Sequence, residues 1–246
     1  MTQYNLVADQ YDLSFQLAPY RLHVEAYSLY TLLGDIKGKR ILDLATGTGF
    51  YARALSKQGA GKVVAVDIAD EMVKIGRMAE EAEPLGVEYH TGDVMNFTSD
   101  TPFDLGLAVY LLHYAPTKEA LRAMCASIAE NIVSGGRFVT YVLNPDMSHQ
   151  AGYYGSHGLN INISEDTIDG QPAPFTVSLG GMTTPEIMAY RWDKATIHQA
   201  LTDAGFTNIR WVMPTLSAEG ETHYGKDYFE AYIQQPHAVL IDCIKA

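Results

Sequence analysis

Two glycines and three acidic residues occupy positions that could hold a nucleotide-like cofactor. The stretch "ILDLATGTGFYARAL" (41–55) places Gly47 and Gly49 directly after a run of apolar residues. Glycines at a turn between a strand and a helix let a ligand approach the backbone closely. Alone, a Gly-x-Gly pair is equally typical of strand-to-helix turns that bind nothing. The acidic residues therefore decide which occupant the turn favours.

Asp43 lies inside the first apolar run, where a carboxylate is costly to bury unless something pairs with it. A dinucleotide would bring its pyrophosphate to this place, and the two anions would repel each other. S-adenosylmethionine carries a sulfonium and an α-ammonium group and no phosphate, so it suits this carboxylate better. Asp67 ends the second run and can accept hydrogen bonds from ribose hydroxyls of either cofactor. Asp93 ends the third run and can either accept from an adenine amino group or cap a turn.

Several residues are candidates for contacts with a substrate. His113 is the candidate base or hydrogen-bonding group, because histidine titrates near neutral pH and binds heterocycles well, and a histidine packed in the core is the alternative. Tyr114 either stacks on the substrate or packs. Arg21 either holds a carbonyl or anionic group or forms a surface ion pair. Tyr190 and Trp192 either wall an aromatic pocket or belong to the core.

Composition limits the class of protein and its partners. The chain has 246 residues, of which 47% are hydrophobic and 19% charged, as in a globular protein. Its net charge of −12 disfavours nucleic acid or an anionic membrane as a partner and leaves a small-molecule substrate. Cys125 and Cys243 are expected to be reduced and buried, and no histidines have metal-ligand spacing. Without a visible signal peptide or spanning segment, we expect a cytoplasmic monomer or homodimer.

Apolar runs alternate with helical patterns along the first part of the chain. This alternation predicts βαβ units and an α/β fold with a doubly wound, mostly parallel sheet. Ligands of such sheets bind at the carboxyl ends of the strands. The predicted strands are 39–45, 62–67, 87–93, one within 103–114, and 137–143, and the predicted helices are 50–58, one from residue 70, and 117–132. Helical spacing places Met72, Ile75 and Met78 or Ala79 on one face of the second of these helices. In the third it places Leu121, Met124, Cys125 and Ile128 on one face, and Gly135 and Gly136 are expected to end it.

The alternation breaks at residues 144–190, which are rich in glycine, proline and tyrosine and predict a β-rich insertion after strand five. A helix at 194–206 and strands at 208–214 and 237–245 complete a seven-stranded sheet with one antiparallel strand. We therefore divide the chain into three parts. They are an N-terminal cap with the cofactor-binding half (1–143), a substrate-side insertion (144–192), and the remainder of the main domain (193–246).

Over residues 40–143 the chain resembles class I S-adenosylmethionine-dependent methyltransferases. The segments "ILDLATGTG", "VVAVDIADEMV", "GD" and "FDLGLAVYLLHYA" stand in that family's order and spacing. The earlier "YNLVADQYD" is similar to the family's N-terminal helix, whose tyrosine closes over the cofactor. The resemblance implies a Rossmann-like methyltransferase fold, with S-adenosylmethionine as cofactor and S-adenosylhomocysteine as product.

The resemblance also implies a set of cofactor contacts on the loop and at the ends of the first four strands. Asp43 and Gly47 would contact the methionyl end, and the other loop-shaping positions are Ala45, Thr46 and Gly49. The ribose position is Asp67, and the adenine positions are Ile68, Met72, Asp93 and Val94. Around the sulfonium, the positions are Val109 and Tyr110 beneath it and Tyr11 above it.

Within that family the chain is similar to toxoflavin-type small-molecule methyltransferases of secondary metabolism, on "YLLHYA", "MCASIAENIVSGGRFVTY" and "YRW...IHQALTDAGF". This similarity implies N-methylation of an azapteridine, a fused nitrogen heterocycle. Three alternatives remain open at this point. They are O- or C-methylation of a phenolic or quinone-type metabolite, a nicotinamide-dependent oxidoreductase, and a cofactor-binding protein without catalysis. Asp43 and the absence of a convincing catalytic Tyr-x-x-x-Lys disfavour the oxidoreductase.

Overall fold

The computed structural model describes residues 14–15 and 17–246, so the predicted role of Tyr11 lies outside the described residues. A π-helical turn, Arg21–Ala26, leads directly into the α-helix Tyr27–Leu33. The helices are α1 (Tyr27–Leu33), α2 (Phe50–Lys57), α3 (Asp70–Ala82), α4 (Lys118–Glu130), α5 (Lys194–Asp203), α6 (Ala218–Tyr224) and α7 (Lys226–Gln234). Within the described ranges, no helix is long and apolar enough to cross a membrane.

Seven strands form the main sheet, in the order β3-β2-β1-β4-β5-β10-β9. Only the last strand in sequence, β10, runs antiparallel to its neighbours, which confirms the predicted mostly parallel, doubly wound architecture. The strand order reverses between β1 and β4, so a crevice opens at their carboxyl ends. The strands are β1 (Arg40–Leu44), β2 (Lys62–Asp67), β3 (Val87–Thr91), β4 (Phe103–Val109), β5 (Ile132–Leu143), β9 (Phe206–Val212) and β10 (Ala238–Lys245).

Both faces of the main sheet are covered by helices, which explains why its central strands are apolar on both sides. On one face, Leu29 of α1, Leu55 of α2 and Val73 of α3 pack against Ile41 of β1. The other face is packed by side chains of α4 and α5. The α4 residues predicted to face the core, Leu121, Met124, Cys125 and Ile128, are all buried there.

The insertion after β5 contains a second, antiparallel sheet of β6 (Leu159–Ile161), β7 (Phe175–Leu179) and β8 (Met182–Thr183), as the β-rich prediction expects. A third core cluster connects it to the rest of the molecule. There Tyr20 of the N-terminal segment packs with Leu159 of β6 and Phe229 of α7. The insertion therefore lies beside the N-terminal segment, and the predicted three-part division of the chain stays a prediction.

Candidate functional site

The loop between β1 and α2 is held in one conformation by its own backbone. Ala45, Gly47 and Gly49 all have positive φ angles, of 54°, 58° and 87°. At Gly49 a Cβ would overlap the Tyr89 hydroxyl, so no larger residue fits. The N–H groups of Thr46 and Gly49 donate to the carbonyls of Val66 (3.1 Å) and Thr46 (3.0 Å). Two backbone donors of the loop that could bind a phosphate are therefore already in use.

Asp43 lies beneath this loop, fully buried, and does not line the cavity described below. Its carboxylate accepts a hydrogen bond from the Thr46 hydroxyl at 2.6 Å and another from the backbone N–H of Ala52. Burial raises the pKa of Asp43 to about 7, and the nearby Asp67 carboxylate adds to this effect. The two hydrogen bonds oppose the rise, because they stabilise the ionised form.

Asp67 ends β2 and lines the cavity. Its two carboxylate oxygens accept from the backbone N–H groups of Gly47 (2.7 Å) and Ala69 (2.8 Å). Burial raises the pKa of Asp67, and these backbone donors oppose the rise. A carboxylate oxygen can accept more than one hydrogen bond, so both oxygens retain capacity for a ligand hydroxyl.

A cavity of about 380 Å³ opens at the carboxyl ends of β1, β2 and β4. Most of the predicted cofactor positions line it: Ala45, Gly47, Asp67, Ile68, Met72, Asp93, Val94, Val109 and Tyr110. Asp43, Thr46 and Gly49 do not line the cavity. Among the residues that the structure describes, no three His, Cys, Asp or Glu side chains group closely enough to hold a metal ion.

Asp93 caps a turn and also lines the cavity. One carboxylate oxygen caps the short 3-10 turn Val94–Asn96 by accepting from the Met95 N–H at 2.9 Å. The residue is half-buried and lines the cavity. Its second oxygen can therefore serve an amino group of a ligand.

His113 lies on a 3-10 turn directly after β4 and lines the cavity. Only 3% of its surface is exposed, and neither ring nitrogen has a hydrogen-bond partner among the described residues. Burial lowers its pKa to about 3, so the ring is neutral at physiological pH. Leaving buried polar atoms without partners is unfavourable, and such a group is often completed by a ligand.

The other predicted substrate residues separate into two sets. Arg21 and Tyr114 line the cavity. Tyr190 and Trp192 lie behind it, where the Tyr190 N–H donates to the His113 carbonyl (2.8 Å) and Trp192 Nε1 donates to the Ala115 carbonyl (3.2 Å). Both residues thus stabilise the turn that carries His113 through hydrogen bonds to its backbone, and neither forms part of the cavity wall.

The far end of the cavity is apolar and comes from the insertion. Leu159 and Ile161 alternate along β6, and Phe175 and Val177 alternate along β7, so all four side chains share one face of the small sheet. Ile187 joins them through a bridge to Phe175. All five line the cavity, and we refer to them as the insertion wall.

Sequence reasoning missed Glu25 and His237. Glu25 is 2% exposed, forms an ion pair with Arg21 (Oε1–Nε 3.2 Å), and accepts from the hydroxyls of Tyr51 and Tyr110. His237 lines the cavity, and burial, with the Arg21 charge, lowers its pKa to about 3. The i,i+4 spacing of Arg21 and Glu25 was an available signal, whereas nothing in the sequence indicates that His237 meets Tyr110.

The first part of the chain is similar to known methyltransferases. Residues 41–136 match a family model described as "Methyltransferase domain". The ubiquinone biosynthesis O-methyltransferase of Xanthomonas euvesicatoria pv. vesicatoria is 29% identical over 112 residues, which is 45% of this chain and 45% of that protein. This chain thus spans less than half the length of the curated relative it matches.

Solved structures resemble nearly the whole chain. The CcbJ methyltransferase from Streptomyces caelestis has a TM-score of 0.68 and 19% identity, covering 100% of this chain and 98% of that chain. The DhpI-SAM-HEP complex has a TM-score of 0.62 and 21% identity, covering 98% of this chain and 93% of that chain. These similarities confirm the Rossmann-like methyltransferase fold.

Proposed function

We propose that this chain, which carries a methyltransferase domain at residues 41–136, transfers a methyl group from S-adenosylmethionine to a small, uncharged heteroaromatic molecule. One observation carries the proposal: a single cavity extends from the Asp67 carboxylate beside the glycine loop to the insertion wall. Its acidic end suits a cationic nucleoside, and its apolar end suits a flat, uncharged acceptor.

The residues at the acidic end fit S-adenosylmethionine. Asp67 would hold the ribose hydroxyls, Asp93 would accept from the adenine amino group, and Met72 would lie beside the adenine ring. When bound, the cofactor supplies an activated methyl group on a sulfonium. A pyrophosphate fits less well, because the N–H groups of Thr46 and Gly47 already donate hydrogen bonds to Val66 and Asp67.

The protein's own part in the reaction is alignment. In-line methyl transfer requires mainly that the accepting atom, the methyl group and the sulfur be held in register. His113 is neutral, so its two ring nitrogens can offer one donor and one acceptor to the edge of a nitrogen heterocycle. The walls around it exclude water from the reacting atoms.

The cavity favours an acceptor without charge. Among the described lining residues, the charged side chains are Asp67 and Asp93 at the acidic end and Arg21, which is paired with Glu25. An ionised acceptor would therefore lose its hydration at the insertion wall without gaining a partner. Within the uncharged class, we propose N-methylation of a toxoflavin-type azapteridine, whose ring nitrogens match the capacity of His113.

O-methylation of a phenolic or quinone-type metabolite is the second candidate. The names of the curated relatives, ubiquinone biosynthesis O-methyltransferases, favour it. Their similarity covers less than half of this chain, so it supports the shared methyltransferase domain more strongly than the shared acceptor.

A product assay distinguishes the two candidates. The full chain is incubated with S-adenosylmethionine and an azapteridine with a free ring N–H, a catechol, or a carboxylated analogue of either. Mass spectrometry should find the azapteridine methylated on nitrogen. A methylated catechol alone would favour the second candidate. Methylation of the charged analogues only would contradict both.

A further inference from the structure

Glu25 connects the N-terminal segment to two sides of the cofactor end. It lies on the π-helical turn before α1 and is almost fully buried. Oε1 accepts from the Tyr51 hydroxyl of α2 and pairs with Arg21, while Oε2 accepts from the Tyr110 hydroxyl after β4. Arg21 balances the carboxylate charge, so the pair adds no net charge to the cavity.

The hydrogen bonds around Tyr110 have a defined direction. Because the Tyr110 hydroxyl donates to Glu25, its oxygen can only accept from His237 Nε2, which lies 3.1 Å away. His237 is neutral and carries one ring proton, so this proton must lie on Nε2. Nδ1 then accepts from the Tyr232 hydroxyl at 2.8 Å. The chain therefore runs from Tyr232 through His237 and Tyr110 to Glu25.

Tyr110, which this chain of hydrogen bonds holds by its hydroxyl, also has an unusual backbone conformation. Tyr110 has a φ of 67°, which a non-glycine residue adopts only when its surroundings impose it. Its N–H donates to the Tyr141 carbonyl (3.1 Å), and its ring stacks on the His237 ring with centroids 5.9 Å apart. Backbone, ring and hydroxyl are thus all held in place beside the cavity.

A tyrosine whose hydroxyl donates a hydrogen bond to a carboxylate has a more electron-rich ring than a tyrosine without that acceptor. Aromatic rings attract cations through their negative faces, and the attraction grows when water is excluded. Tyr110 lines the cavity together with Val109 and Ala45, next to the glycine loop. A cationic group held at this end of the cavity would therefore lie near Tyr110.

We propose that Glu25 and His237 are positioning residues that fix Tyr110 as the wall recognising the positive charge of the cofactor's sulfonium. The inference rests on the proposed function, because it concerns the same cofactor. It assigns to Glu25 a selective role, in which the fixed Tyr110 ring raises the affinity for S-adenosylmethionine relative to that for its uncharged thioether product, S-adenosylhomocysteine.

Calorimetric titration of the full chain with each of these two compounds tests the inference without any acceptor. Tyr110→Phe should lower the ratio of S-adenosylmethionine to S-adenosylhomocysteine affinity about fivefold. Tyr51→Phe is the matched control, because it removes a hydroxyl from the same carboxylate while Tyr51 does not line the cavity. Its affinity ratio should stay at the wild-type value.

Glu25→Gln and His237→Phe test the positioning role. Each should lower the affinity ratio, and neither should lower it further when combined with Tyr110→Phe. His237→Phe leaves the Arg21–Glu25 ion pair intact, so it decides the matter if Glu25→Gln fails to fold. Equal weakening of both compounds in Tyr110→Phe, or no change, would overturn the inference. Failure of the wild-type chain to bind either compound would instead reject the proposed function.

Discussion

The Gly47 backbone N–H donates to the Asp67 carboxylate at 2.7 Å, and this contact ties the glycine loop after β1 to the end of β2. The loop and the acidic residue are therefore positioned together. A ligand held by Asp67 must lie against Gly47, and the same hydrogen bond reduces the capacity of the loop to bind a phosphate.

Asp67→Ala should weaken the binding of S-adenosylhomocysteine about a hundredfold or more. The variant loses the acceptor for both ribose hydroxyls, and hydrogen bonds to a charged group each contribute about 1.5–3 kcal/mol. Asp70→Ala removes an exposed carboxylate three residues away and serves as the control for net charge. Calorimetry that finds equal affinities in the two variants would reject the ribose role of Asp67.

Asp43 should make stability depend on pH. Its folded pKa of about 7 lies above the ordinary value of 3.8, so the folded protein retains a proton that the unfolded chain releases. Its contribution to stability is full below about pH 4 and is lost as the pH rises to 7. Between pH 5 and pH 8, Asp43 should lower the free energy of unfolding of the wild type by roughly 3 kcal/mol. This part of the decrease should be absent in Asp43→Asn.

Urea denaturation at several pH values measures this dependence. Asp70→Asn, at an exposed site, should follow the wild-type curve. A parallel curve for Asp43→Asn would show that burial does not raise the pKa of Asp43 in the folded protein.

His113→Ala should lower kcat/KM for the acceptor about tenfold to a hundredfold, because it removes the hydrogen-bonding group at the acceptor's edge. Affinity for S-adenosylhomocysteine should stay within about twofold of the wild type. Replacement of the exposed His198 by Ala is the control. Because the pKa of His113 is about 3, this residue should cause no inflection near pH 6.5 in the pH profile of kcat/KM. No inflection near that pH should therefore disappear in His113→Gln. Such an inflection would contradict the neutral ring.

Phe175→Ala should raise the KM of the acceptor about tenfold, because it shortens the insertion wall and exposes the acceptor to water. Binding of S-adenosylhomocysteine should not change, since the cofactor residues lie at the other end of the cavity. Asn160→Ala, on the opposite face of the same small sheet, is the control. Equal losses of acceptor and S-adenosylhomocysteine binding in Phe175→Ala would refute a separate acceptor wall.

The sequence predicted the sheet class and the seven strands of the main sheet, because a strand buried on both faces must be apolar throughout. For α3 it did not predict correctly which side chains are buried. The pattern around α3 predicted Met78 on the buried face, but Met78 is 60% exposed. Gly76 lets α3 approach Tyr89 of β3 so closely that Val73 and Gly76 take the buried positions. A glycine carries no apolar signal, so periodicity could not reveal this contact.

Strand β5 was also longer than expected. Gly135 and Gly136 were predicted to end α4, yet α4 ends at Glu130 and both glycines lie within β5. The pairing with β4 shifts register between Phe103 and Leu105, where the extra residues of β5 are accommodated. Such an irregularity depends on the partner strand, which the local sequence does not contain.

The residues of the candidate site also differ in whether the sequence could predict them. Residues that follow a strand, such as Asp67 and His113, could be predicted because parallel strands share one carboxyl edge. Glu25 and His237 meet only through Tyr110, across 85 and 127 positions of sequence. For Tyr190 and Trp192 the sequence left two alternatives, a pocket wall or the core, because residue type does not tell which side of a turn a side chain occupies.

The central claim is that the glycine loop and Asp67 form a site for a phosphate-free nucleoside cofactor. Thermal unfolding of the full chain with S-adenosylhomocysteine or NAD, each in large excess, tests it most directly. A ligand that binds only the folded state stabilises it by about 2.7 kcal/mol at a hundred times its Kd. S-adenosylhomocysteine should raise the Tm by several degrees while NAD leaves it unchanged. A rise with NAD alone would contradict the account.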